Sequence, residues 1–378
     1  MITIAIIDDG VNPAYLAENQ PFTSYTAIGG AVKNVEISEN VKISENTEIS
    51  ENVENSEIVK NAENSENVKI SENAKNVRNI THGTSCYQII RAYTSVPFSL
   101  ISLQVLDTAT NTGSKNSLVT ALNWCKSQKI DLINMSMGTR QFYDFSAIAK
   151  AIAELDQTVI VAACSNQNTI TLPACLDSVI GVRHCNLPQL REKYSYISDP
   201  YDKVDIMTYS NNASNSMAAP FISAKVCDLL ASGITGTAEI RRQLQKNSVP
   251  CSMDYQFFRN LYPDWQEITV PIVAIDDLAK IAPLVDLFIE EDYRAVVLPL
   301  AAPAANISLA DTLNLHYNHT LPNIIFLNLD WRLIKTLPAN MQADAAIFQL
   351  PSQSDIPHIL DISDSPQSLL AKIEELLG

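Results

Sequence analysis

With 378 residues the chain has room for two domains, each able to bury its own core. A content of 46% hydrophobic and 18% charged residues is globular, and a net charge of −16 argues against nucleic acid or an anionic membrane as partner, since both need a basic face. Seven cysteines, an odd number with no C-x-x-C and no zinc spacing, read as free thiols in a reducing compartment. Met1 leads directly into an apolar strand, with no basic leader, cleavage site or long apolar run, so neither a signal peptide nor a membrane span is expected. The expected location is cytoplasmic.

Residues 2–7 (ITIAII) form a short β-branched run ended by Asp8-Asp9-Gly10, a buried strand followed by a turn. An acid at the carboxyl end of such a strand is where open α/β sheets hold functional groups, although Asp8 alone also suits a plain turn. From 33 to 78 the composition changes: Ile-Ser-Glu-Asn recurs at 37, 43, 49 and 70, and Gly, Pro, Leu and aromatic residues are absent. Ten Glu oppose six Lys and Arg in this stretch. A period of six matches neither a helix nor a heptad, so the segment reads as a disordered surface insertion without chemistry.

After the insertion, Asn79-Ile80-Thr81-His82 opens a helix that runs to Tyr93. Strands are predicted over 100–106, 130–135, 158–163 and 178–183, with helices over 116–128 and 144–155. Near-continuously apolar strands that alternate with helices predict a parallel sheet covered on both faces, and polar residues gather just past the strand ends. A further helix over 217–232 follows Asn215-Ser216. Read alone, Ser216 is a helix cap, because serine is favoured there.

Five segments then line up in order. Ile6-Ile7-Asp8-Asp9-Gly10, His82-Gly83-Thr84, Ile133-Asn134-Met135-Ser136-Met137-Gly138, Val161-Ala162-Ala163-Cys164-Ser165-Asn166 and Ser216-Met217-Ala218-Ala219-Pro220 together resemble the subtilisin-like serine protease family. Leu172-Pro173-Ala174 through Ile180 is similar as well, and the resemblance covers about residues 1–247. It implies an α/β fold and a peptidase in which Ser216 attacks, His82 carries the proton and Asp8 holds the imidazole. It also implies that Asn166 and the Ser216 N–H bind the oxyanion, while Ser136, Met137, Gly138, Ala163 and Cys164 bind substrate. Asp8 and His82 are 74 residues apart; subtracting the 46 residues of the insertion leaves 28. The family's usual Ser or Thr at position 9, Gly at 165 and Gly-Thr at 214 and 215 are replaced by Asp9, Ser165, Ser214 and Asn215. Cys86, one helical turn after His82, reads as a core thiol close to the site.

Residues 248–266 read as a linker with Tyr255, Phe257, Phe258, Tyr262 and Trp265 at the junction. Strands over 269–275, 295–300, 323–329 and 345–350, with helices over 278–290 and 367–377, make 267–378 a smaller α/β domain. Glycine is absent from 237 to 377, which excludes a glycine-rich phosphate loop, and His316, His319 and Asp330 lack metal spacing. No cofactor or metal is expected; a structural calcium is not legible. This domain is expected to present substrate or bind a protein partner.

The sequence thus predicts a serine endopeptidase acting on a peptide or protein, with a dedicated processing role such as maturing a ribosomally made peptide. A catalytically silent binding protein of the same fold is the alternative, and an acyl transferase using the same acyl-enzyme is a third.

Overall fold

The computed structural model describes residues 1–35, 80–108, 110, 112–141, 144–167, 169–197, 203–210, 213–251, 266–291, 293–299, 308–328, 331–334, 336–348 and 358–377. The insertion beyond residue 35, the junction aromatics and Asp330 lie outside the described residues.

Strand β1 (Ile2–Asp8) is the axis of the larger sheet. Its residues alternate between two cores, Ile4 and Ile6 facing one and Ala5 and Ile7 the other, which is why the run reads as continuously apolar. The flanking strands are β2 (Phe22–Thr26), β3 (Lys33–Asn34), β4 (Phe98–Gln104), β5 (Leu132–Met135), β6 (Val159–Ala163), β7 (Val179–His184), β8 (Tyr194–Tyr196) and β9 (Ile206–Thr208). They pair in the order β3-β2-β4-β1-β5-β6-β7-β9-β8, parallel except at the two outermost strands. The chain places β2 and β4 on one side of β1 and β5 on the other, so the strand order reverses at the carboxyl end of β1. Crevices form at such reversals.

Helices α1 (His82–Tyr93), α4 (Asn215–Ala231) and α5 (Thr237–Lys246) cover one face; α2 (Lys115–Cys125) and α3 (Phe145–Ala153) cover the other. Local chemistry sets the helix starts: the hydroxyls of Thr81 and Ser114 accept the N–H of Thr84 and Ser117. Helix α4 begins earlier than its apolar run suggests. Ser214 occupies the cap position and Ser216 lies inside the first turn, so the reading of Ser216 as a cap is corrected. Pro220 removes the N–H that would otherwise bond to the Ser216 carbonyl.

The second sheet is entirely parallel, in the order β11-β12-β10-β13-β14, with β10 (Ile272–Ile275), β11 (Ala295–Pro299), β12 (Ile324–Asn328), β13 (Ala345–Phe348) and β14 (His358–Asp361). Helices α6 (Leu278–Glu290) and α9 (Pro366–Leu377) pack on one face and α7 (Leu309–Thr320) on the other; a short α8 (Trp331–Ile334) precedes β13. The fold is therefore α/β, a large, mostly parallel sheet flanked by helices with a second, smaller sheet. We propose that the division between the two domains falls within 248–266, between α5 and β10.

The sequence reading missed β2, β3, β8, β9, α7, α8 and β14. Strand β2 is polar and half-buried, β8 and β9 have three residues each, and α7 mixes His, Asn and Thr among its leucines, so none carries a strong period. Lys33 and Asn34, placed in the insertion by composition, pair with Thr26 and Tyr25.

Candidate active site

Asp8 ends β1 and is fully buried. Both its carboxylate oxygens face His82 Nδ1, at 3.0 and 2.9 Å. His82 Nε2 lies 3.0 Å from Ser216 Oγ on the far side of the ring. In the neutral imidazole, Nδ1–H donates to the carboxylate, so Nε2 is the acceptor and the Ser216 hydroxyl donates to it. Residues 134 positions apart thus meet where α1 and α4 begin.

The neighbouring Asp9 fixes where α1 starts. Its Oδ2 accepts the His82 N–H at 3.0 Å and its Oδ1 accepts the Gly83 N–H at 2.8 Å, so an acid satisfies two of the open N–H groups at the positive helix end. Burial pushes the Asp9 carboxyl above its usual range, against those two N–H donors. Gly83 is required by contact: a Cβ there would stand 2.7 Å from the Gly10 carbonyl oxygen and 3.3 Å from Asp8 Cβ. Only a bare backbone lets α1 approach β1 closely enough for the imidazole to reach the carboxylate.

Burial disfavours the His82 imidazolium, but the hydrogen bond it donates to Asp8, helped by Cys86, outweighs this and raises the histidine well above its ordinary value. Cys86, fully buried, lies 3.9 Å from His82 Nδ1, 4.0 Å from Asp8 and 3.3 Å from Ser136 Oγ. Asp8, His82 and Cys86 are also the one described group whose ligand atoms gather within 4.8 Å, as a metal would need. Burial pushes the Cys86 thiol up, away from the thiolate that metal binding demands, and the imidazole nitrogen is already engaged by Asp8. The donor set fits a proton relay better than a metal site. His316 and His319 are on α7, remote from this group in the chain, and His319 is fully buried.

Asn166 follows β6. Its Oδ1 accepts the Asn215 N–H at 2.9 Å, and with Ser216 it lines a cavity of about 310 Å³. Ser136, Met137, Gly138 and Cys164 line that cavity as well, together with Ser165, noted in the sequence as a departure from the family's glycine, and with Thr139, Arg140, Gln141 and Thr171, which sequence reasoning missed. Ala163 remains inside the sheet, paired with Val182, and is absent from the lining. The segment after β5 is tied to the loop after β6 by a two-bond bridge between Thr139 and Leu172. A side chain at Gly138 would collide with the Leu172 carbonyl and with Thr171, so this close approach needs glycine. A second cavity of about 450 Å³, lined by His82, Leu106, Leu118, Met137 and Ile148, adjoins the first at Ser216.

A strand-end acid, a helix-borne histidine and a helix-borne serine are thus hydrogen-bonded in sequence at one edge of a parallel α/β sheet. The subtilase family model matches residues 1–258, and the chain belongs to the subtilase family. Subtilisin DY of Bacillus licheniformis is 26% identical over 182 residues, covering 43% of this chain and 65% of that protein. Subtilisin E of Bacillus subtilis (strain 168) is 26% identical over the same length, 43% of this chain and 47% of its own. The chain therefore spans less than two thirds of these relatives. Among solved structures, a cold adapted subtilisin-like serine proteinase aligns with a TM-score of 0.38 and 17% identity over 65% of this chain and 81% of its own. A lanthipeptide protease aligns with a TM-score of 0.42 and 13% identity over 67% and 81%.

Among the described residues no helix is long and apolar enough to cross a membrane. None of the seven cysteines is in a disulfide, and five of them are buried.

Proposed function

We propose that the protein is a serine endopeptidase in which Ser216 is the nucleophile, His82 the general base and then acid, and Asp8 the group that orients and stabilises the imidazolium. The observation that carries this reading is the continuous relay from Asp8 through His82 to Ser216 Oγ. Ser216 attacks the scissile carbonyl as its proton passes to His82 Nε2, and the proton then leaves with the amine. The Ser216 N–H at the start of α4 and the Asn166 carboxamide bind the oxyanion. Water, activated by His82, releases the acyl group. Substrate is a peptide or protein whose backbone runs along 136–138, with one side chain in the polar cavity bounded by Thr139, Ser165 and Thr171.

That narrow, polar cavity supports a processing role on a defined precursor, such as a ribosomally made peptide, over bulk digestion. Rapid cleavage of unrelated unfolded proteins would contradict it. One observation favours the second reading, a catalytically silent relative: the Ser214 hydroxyl lies 2.7 Å from Ser216 Oγ and engages the nucleophile. A fluorophosphonate probe decides between them. Labelling at Ser216, lost in Ser216→Ala, is expected; a folded chain that takes no label is the silent protein.

A further inference from the structure

The residue before the nucleophile carries a second feature that the relay does not use. Asn215 is 4% exposed and its carboxamide bonds at both ends. Oδ1 accepts the His184 N–H at 2.6 Å, and Nδ2 donates to the Ser165 carbonyl at 2.5 Å. Its backbone N–H is the donor to Asn166 Oδ1.

The geometry explains why a side chain is needed there. Strands β6 and β7 pair up to Ala163 and Val182, and the last rung runs from the Cys164 N–H to the Val182 carbonyl. In a regular parallel ladder the His184 N–H would return to β6. It bonds to Asn215 instead, because the two strand ends have separated. The Asn215 carboxamide bridges the gap that this leaves, with one acceptor and one donor, as an amide in a ladder has. The His184 ring accepts the Ser210 N–H at Nδ1, and its Nε2 lies 2.9 Å from Asn186 Oδ1.

We propose that Asn215 is the positioning residue of the oxyanion site. It fixes the backbone of Ser165, immediately before Asn166, and its N–H occupies the Asn166 oxygen, so that the Asn166 amide N–H groups face the cavity beside Ser216. A threonine or alanine at 215 keeps the backbone N–H but has no carboxamide to span both partners, and Ser165 and His184 each lose a bond. Asn166 then shifts relative to Ser216, and a misplacement of about 1 Å in a reacting geometry costs roughly 10²-fold in rate.

This inference rests on the proposed function and is tested with the full chain and an alkyl fluorophosphonate, whose phosphoryl oxygen enters the same oxyanion site. The second-order labelling rate is measured for the natural sequence, Asn215→Ala, Asn166→Ala and the pair combined. If Asn215 acts through Asn166, the combined variant labels as slowly as Asn166→Ala alone, since residues that act as a unit are not additive. If the two losses multiply, Asn215 is merely structural and the inference falls while the proposed function stands. No label on the natural chain overturns the proposed function, and this inference with it. Should Asn215→Ala not fold, Asn215→Thr carries the same cycle with the same two outcomes.

Discussion

The Ser216 oxygen is held by two partners, and their hydrogen-bond directions are determined by Asp8. When His82 is neutral and takes the Ser216 proton at Nε2, the Ser214 hydroxyl at 2.7 Å is the donor to Ser216 Oγ. It stands where the family's pattern has glycine, so the bond is a feature of this chain. A neutral hydrogen bond of this kind is worth about 0.5–1.5 kcal/mol, and Ser214→Ala, which frees the Ser216 oxygen, is expected to speed labelling of Ser216 by roughly 2- to 10-fold. An unchanged rate would show that the bond does not restrain the nucleophile. The raised His82 pKa has a sign as well. Only neutral imidazole accepts the serine proton, so labelling rises with pH and its midpoint lies above the ordinary histidine value of about 6.5. Asp8→Asn removes the group that holds the proton, and the midpoint is expected to fall. Stability runs the other way: the Asp8–His82 pair contributes fully below the unfolded histidine value and is lost as pH rises through the folded one.

At the scale of elements, the site depends on how closely α1 approaches β1. Gly83 and the Asp9 carboxylate act on the same few residues, one by removing bulk and the other by tying down N–H groups. Gly83→Ala overpacks this contact and is expected to cost about 1–3 kcal/mol in urea unfolding, with a loss of labelling larger than that of distant substitutions of equal stability. Equal losses would mean that the approach of α1 is not critical to the relay. Much of this level was legible beforehand. Asp8, His82, Asn166 and Ser216 all sit where strand or helix signals end or begin, and those signals are local. The start of α4 was not legible: Ser214, Asn215 and Ser216 are all common near helix starts, and the choice among them depends on the end of β7 and the turn after β6, which hold Asn215. Asp9 was recorded as a departure from the family's pattern, and its role as an anchor for α1 needed the geometry across 73 residues of chain.

For the whole molecule, each sheet has its own pair of cores, and among the described residues a backbone bond from the Ile170 N–H to the His319 carbonyl joins the loop beside the cavity to the end of α7. Separate cores unfold separately when little crosses between them. Phe326→Ala, at a fully buried position of β12, is expected to cost about 3–5 kcal/mol in one calorimetric transition and to leave the other, and labelling of Ser216, in place. A single transition that moves as a unit would make the two sheets one cooperative body.

Taken alone, the sequence determined the α/β class, the alternation that buries both faces of each sheet, and the four polar residues at element ends that the family resemblance joined. These are properties of short stretches, where period and capping act over a few residues. Tertiary structure alone decided the hydrogen-bond order Asp8–His82–Ser216–Ser214, the Asp9 anchor and the bridge made by Asn215. Each depends on atoms brought within about 3 Å by strand order and helix packing, so no local pattern records it.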